Sequence, residues 1–223
     1  MIGFDNVAHD FGSGALLSEL TLELTAGSFH FLTGPSGAGK STFLKLCYGE
    51  LTPTSGTVSF LGRNIAGMNR DELALMRRDI GVVHQDCQFL DHLTLAENVA
   101  LPLAVSGRRI DPGELAELLG WVGLSNQAQA LPPTLSGGER QRGALARAVI
   151  MSPRILLADE PSGNLDHDLS MRLLTLLVEL NRLGTIVMIA THDLALIRAA
   201  KTQVSARVMR IKDRRLHPAG ADL

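Results

Sequence analysis

The nine residues Gly34 to Thr42, GPSGAGKST, constrain this chain more than any other stretch. They follow an apolar run from Phe29 to Thr33 and open a helical pattern that continues through Phe43, Leu44, Leu46 and Cys47. A Gly-x-x-x-x-Gly-Lys-Ser spacing between a strand and a helix is a cradle for a polyphosphate. The loop runs through Gly34, Pro35, Ser36, Gly37, Ala38 and Gly39, and its glycines let it bend so that N–H groups, other than at Pro35, and the positive end of the helix converge on an anion. Lys40 then adds a mobile cation for the β- and γ-phosphates, Ser41 a hydroxyl for Mg²⁺, and Thr42 a donor for the α-phosphate. A bare turn between strand and helix needs neither the lysine nor the hydroxyls.

Composition narrows the partners. The 223 residues carry a net charge of −2, so no basic field points to nucleic acid or to an anionic membrane surface. Cys47 and Cys87 stand far apart, without the spacing of a zinc site or a disulfide framework. The N-terminus, with Asp5 and Asp10, lacks the layout of a signal peptide. The longest apolar runs, such as Thr185 to Ala190, fall short of the ~20 residues that a membrane-spanning helix needs. No direct membrane insertion is expected; if the protein works at a membrane, another chain takes it there.

The periodicities predict a single α/β domain. Ile2 to Val7 and Leu20 to Leu24 alternate as antiparallel strands around turn residues Phe11 to Gly14. Thr57 to Phe60 and Gly81 to His84 read as strands, with a polar helix from Met68 to Arg78 between them. From residue 86 to about 131 the texture becomes helical, Leu95 to Val105 and Glu114 to Val122, broken by Pro102, Gly107, Pro112 and Gly123. This reads as a helical insert between core segments 1–85 and 132–223. Ile155 to Ala158 is a continuous apolar strand of the kind buried on both faces of a parallel sheet. Helices at Arg140 to Met151, Leu169 to Leu183 and Leu194 to Ala200 and a strand at Thr185 to Ala190 complete the alternation.

The strand ending at Ala158 runs into Asp159-Glu160. Beside a phosphate loop, two such acids have separate work: Asp159 to hold Mg²⁺, Glu160 to polarise the water that attacks the γ-phosphate. With Leu135-Ser136-Gly137-Gly138-Glu139 and the following Arg140-Gln141-Arg142, these residues resemble an ABC-type ATPase over nearly the whole chain. The resemblance implies a P-loop NTPase core with a parallel sheet, an N-terminal antiparallel β subdomain and the helical insert. It implies ATP and Mg²⁺ as ligands, with Gln85 contacting the metal, Phe11 stacking on the base, His192 on the γ-phosphate, and Ser162 to Asp166 at a dimer seam.

The resemblance implies that the Ser136-Gly137-Gly138 turn, a second set of anion-directed donors, serves the nucleotide of an opposite copy; with one cradle and one such turn per chain, a head-to-tail homodimer with ATP at its interface is expected. Phe31 to Gly34 leading into Ser36 to Thr42, and Asn98 to Leu103, resemble the members that drive a permease-type integral membrane partner in cell division, at the cytoplasmic face of the inner membrane, whereas Leu156 to Pro161 with Gly163 to Asp166 mark a wider branch that includes lipoprotein-releasing and efflux transporters. ATPases of lipoprotein-releasing and efflux transporters share the same catalytic residues. Phe89, Leu90, Leu93 and Leu95 are expected to form an apolar groove for a helix of that partner.

Overall fold

A computed structural model of the chain describes residues 1–12, 14–163 and 165–219; Ser13 of the predicted turn and Asn164 of the predicted seam loop lie outside them. Strands β1 (Ile2–Asp10) and β2 (Ala15–Leu24) lead to β3 (Phe29–Thr33), helix α1 (Lys40–Cys47), β4 (Ser55–Phe60) and the short β5 (Arg63–Asn64). Helix α2 (Arg70–Arg78) and β6 (Ile80–Val83) precede α3 (Leu95–Val105), α4 (Pro112–Trp121) and α5 (Gly137–Val149). The chain closes through β7 (Ile155–Asp159), α6 (His167–Arg182), β8 (Ile186–Ala190), α7 (Leu194–Lys201), β9 (Ala206–Lys212) and β10 (Arg215–Pro218).

The strands form a four-stranded antiparallel sheet, β2-β1-β4-β5, and a six-stranded sheet, β10-β9-β3-β8-β7-β6, in which only β10 runs antiparallel to its neighbour. Strands β3, β7 and β8 are apolar almost throughout because both faces of the larger sheet are covered. Alternate residues serve different cores. Leu156, Ala158, Val187 and Ile189 pack with α5, α6, α7 and the α3–α4 segment; Ile155, Leu157, Ile186 and Met188 pack with α1 and the antiparallel sheet. Sheet β3-β8-β7 thus lies between two apolar layers, with its carboxyl ends at one edge.

Helix starts follow local chemistry. Asn69, Thr94 and Ser136 each form a reciprocal capping box with the glutamate three positions on, and Asp111, Asp166 and Asp193 accept from N–H groups of α4, α6 and α7. Among the described α-helices, α1 alone begins without a side-chain cap.

The structure corrects several expectations. Pro102 lies inside α3 and does not end it: the helix gives up one backbone bond there and closes on Ser106, whose N–H donates to Pro102 O at 3.1 Å. Pro112 occupies the first turn of α4, where its missing N–H costs nothing. Helix α5 starts at Gly137, ahead of the expected Arg140, because the Ser136 cap draws both glycines into the first turn. His84 lies beyond the end of β6. Leu95 is fully buried in the core and Phe89 packs against it, so neither lines an open groove. The intervening segment is pinned by Asn98, 0% exposed, whose Oδ1 accepts from Leu90 N–H and whose Nδ2 donates to the carbonyls of Leu90, Leu93 and Thr94.

Candidate active site

The site is built at the carboxyl ends of β3, β7 and β8, where open parallel sheets place their ligands. After Thr33 the chain loops through Gly34 to Gly39 and enters α1 at Lys40. Gly39, the N-cap, has φ 101°, and a Cβ there would lie 2.8 Å from Leu17 Cδ2. A Cβ on Gly34 would stand 3.0 Å from Ile211 O of β9. The loop therefore needs glycine at both points, for backbone twist and for closeness of neighbours.

Lys40 Nζ curls over the loop and donates to Gly34 O at 3.0 Å and Pro35 O at 3.3 Å, which holds the ammonium at the mouth of the cradle. Ser41 Oγ donates to Asp159 Oδ2 at 2.5 Å, so the hydroxyl and the carboxylate share one spot. Burial pushes the Asp159 carboxyl up, and the neighbouring Glu160 adds to this, while the Ser41 hydrogen bond works against it. A cation at that spot would offset the cost of keeping Asp159 ionised.

Glu160 directs its carboxylate to the end of β8. Oε2 accepts from Thr191 Oγ1 at 3.1 Å, and Oε1 lies 2.9 Å from His192 Nδ1. Only 15% of the Glu160 side chain is exposed, against 78% for His192, so the imidazole forms the open lip of the site. Gln85 reaches the same cleft from the loop after β6.

The cleft encloses about 700 Å³ and brings together Gly34 to Gly37, Gly39 to Thr42, Gln85, Asp159, Glu160, Gly163 and His192, together with Leu16. That volume lies within the ~300–1,000 Å³ of small-molecule sites. Leu16 and Thr191 are additions that sequence reasoning missed; Thr191, 0% exposed and next to His192, was detectable only as a polar residue closing an apolar strand. Ala38 packs toward the Ile211 side of the loop. Phe11, 61% exposed, sets its ring edge-on to His9 with centroids 4.6 Å apart and does not line the cleft.

Ser136, Gly137 and Gly138 also lie outside it, at the start of α5. There Glu139 N–H donates to Ser136 Oγ at 3.3 Å, while Ser136 N–H and Oγ donate to Glu139 Oε2 at 2.8 and 2.7 Å. These bonds hold the Glu139 carboxyl below its usual range. Asp166 accepts from Leu169 N–H at 2.8 Å at the start of α6 and is likewise absent from the cleft lining.

A glycine cradle with a lysine at its mouth, a hydroxyl paired with an acid, and a second acid bridged to a histidine define a nucleoside-triphosphate hydrolase. Residues 17–163 match the ABC transporter family, and the chain belongs to it as an ATP-hydrolysing cassette. Within that family it is similar to the cell division ATP-binding protein FtsE of Haemophilus influenzae, 46% identical over 89% of this chain and 93% of that protein. Its identity to the Escherichia coli K12 protein of the same name is 42%, over 97% of both chains. Among solved structures it is similar to the dimeric ATP-binding cassette MJ0796 in a post-hydrolysis state bound to ADP and Pi, with TM-score 0.87 and 33% identity over 99% of this chain and 100% of that one.

Proposed function

We propose that this chain is the ATPase subunit of a cell-division membrane complex, in which closure of two copies around ATP sends a conformational signal to an FtsX-like integral partner. The observation that carries the reading is spatial. One cleft gathers every phosphate- and water-directed group, yet the Ser136-Gly137-Gly138 turn, a second set of anion-directed donors, stands outside it. A head-to-tail homodimer reunites the two, with the turn of one copy closing the cleft of the other.

In that arrangement Lys40 neutralises the β- and γ-phosphates, Thr42 donates to the α-phosphate, and Phe11 of the exposed β1–β2 turn stacks on the base. Glu160 takes the proton of the attacking water, and His192, held by Glu160, contacts the γ-phosphate. The donors Ser41, Asp159 and Gln85 are hard oxygens, which fits Mg²⁺, a metal that relies on few protein ligands beside substrate phosphates and water. Bound there, Mg²⁺ would neutralise charge developing on the phosphate oxygens. Gln85 places residues 86–131 next to this centre, and that segment acts as the unit that answers to the partner.

Among the described residues no helix is long and apolar enough to cross a membrane, so the membrane step falls to the partner. The surface that suits it is a cavity of about 330 Å³ between α2, β6 and α3, lined by Arg77, Arg78, Pro102, Val105 and Met151. None of Phe89, Leu90, Leu93 and Leu95 lines this cavity; its most exposed apolar side chain is Val105, at 76%. In this role the protein works at the cytoplasmic face of the inner membrane, at the division site. Replacing the chromosomal copy by Lys40→Ala is expected to give filamentous cells with normal lipoprotein sorting. Normal septation with lipoproteins retained in the inner membrane would assign the chain to a lipoprotein-releasing transporter instead.

A further inference from the structure

Glu160 has φ 47°, a left-handed backbone that a non-glycine residue keeps only where its surroundings hold it there. Three hydrogen bonds do so. Glu160 N–H donates to Ala190 O at 2.8 Å, Gly163 N–H donates to Glu160 O at 3.1 Å, and Gln141 Nε2 donates to the same carbonyl at 3.4 Å. The first two come from the adjoining strand and turn. The third comes from α5, whose first turn is the Ser136-Gly137-Gly138 segment.

Gln141 is 2% exposed, and its other amide atom is also engaged: Oε1 accepts from the Cys87 thiol at 3.4 Å. A flipped amide would set oxygen against the Glu160 carbonyl, so the orientation is fixed by its partners. Cys87 stands just beyond Gln85 in a turn where Cys87 and Gln88 have φ 59° and 39°. Helix α5 grips that turn a second time, through Arg147, whose guanidinium donates to Cys87 O at 2.6 Å and Gln88 O at 2.8 Å and lies 4.8 Å from the centre of the Phe89 ring.

We propose that Gln141 is a positioning residue for hydrolysis: one buried amide ties the turn after Gln85 and the helix α5 to the left-handed backbone of Glu160. The inference rests on the assignment of Glu160 as the base. The direction of the Glu160 carboxylate follows from its backbone, and its carbonyl is fixed in part by a helix that begins at the donors offered to the other copy's nucleotide. A shift of α5 on engagement therefore moves the Glu160 peptide and the Gln85 turn together. Misplacing a catalytic group by about 1 Å can cost on the order of a hundredfold in rate, so a single hydrogen bond at this point suffices to gate turnover.

The test uses the full chain and two variants. Gln141→Met removes both hydrogen bonds at similar volume, and Gln141→Asn keeps the amide but withdraws it by one methylene. Both are expected to lower kcat about twentyfold or more while the MgATP dissociation constant stays within about twofold, and to accumulate an ATP-bound dimer on size exclusion as Glu160→Gln does. A merely structural amide would give a different pattern: kcat within about twofold of the parent, or kcat and affinity falling together with no trapped dimer. Either result overturns the inference. Glu160→Gln run alongside separates the two levels, since near-normal hydrolysis by that variant would remove the base assignment itself.

Discussion

Two helix N-termini in this protein carry the donors proposed for nucleotide phosphates, and they are built in opposite ways. Helix α1 starts from Gly39 with no side-chain cap, its N–H groups left to the cradle. Helix α5 starts from Ser136 inside a capping box, with the Glu139 carboxylate already bound to the Ser136 N–H. An uncapped start leaves N–H groups that a bound phosphate can complete, which suits the proposed cradle. At the self-capped start Ser136 and Glu139 already exchange hydrogen bonds, so in the proposed dimer a phosphate from outside meets an end that is partly satisfied. The first end is thus made to hold and the second to respond.

The sharpest way to break this contrast is to disable each end separately. Lys40→Ala is expected to weaken MgATP binding by the monomer by on the order of a hundredfold, through lost charge at the β- and γ-phosphates. Ser136→Arg should reduce hydrolysis by at least about a hundredfold while monomer affinity, measured by calorimetry, stays within about twofold. Equal loss of monomer affinity in both variants would mean that α5 serves the nucleotide of its own copy, and the distinction would fall.

Acid titration should separate the supports of the two ends. His30 of β3, the strand that delivers the cradle, is 0% exposed, and burial, aided by Arg207, lowers its pKa to about 4. Unfolded chain takes up this proton below about pH 6.5, whereas folded protein resists until about pH 4. The contribution of His30 is therefore complete above pH 6.5 and is lost as pH falls from there to 4, by up to about 3 kcal/mol. The capping box of α5 depends on a Glu139 pKa below the usual 4.5, so it weakens only at lower pH. His30→Leu should flatten the stability of the apo protein between pH 6.5 and 4 in denaturant titrations; an unchanged slope there would assign the acid loss elsewhere.

The smallest effect should come from Ser136→Ala. Loss of a serine cap costs about 1 kcal/mol, or roughly 2–4 °C in Tm for a chain of this size. A drop of this size in the nucleotide-free protein would show that the capping box supports α5 at rest; an unchanged Tm would leave α5 no more self-sufficient than α1.

How far these features can be read from the sequence depends on whether they are local. The cradle, the Asp159-Glu160 strand end and the Ser136…Glu139 box are contiguous patterns, and the helix α3 stands as predicted, Leu95–Val105. The strands β9 and β10 escaped because Ala206–Lys212 alternates basic residues with only Met209 and Ile211 buried, a pattern that a solvated C-terminal segment shares. The expected groove includes Leu95 because Leu93 and Leu95 look alike in sequence; Leu93 lines an apolar cavity of about 290 Å³ with Ala96, Ala100 and Leu101, whereas Leu95 is turned into the core. Gln141 is legible in the sequence only as part of the run that follows the signature, and its role is not; its partners Cys87 and Glu160 are distant in the chain and take up left-handed backbone without being glycine.

The place of β3 in the larger sheet has a consequence for how the protein is made. The strand that bears the cradle is among the first synthesised, yet both of its neighbours, β8 (Ile186–Ala190) and β9 (Ala206–Lys212), are among the last. Until they emerge, β3 has no ladder on either side, and Gly34 lacks the Ile211 carbonyl against which it packs. Chains grow from the N-terminus, and pairing across such sequence separation is slow. A ribosome therefore displays most of the polypeptide before a nucleotide has anywhere to bind, and an interrupted chain ending short of β9 carries the full phosphate-loop sequence without the sheet that would make it a site.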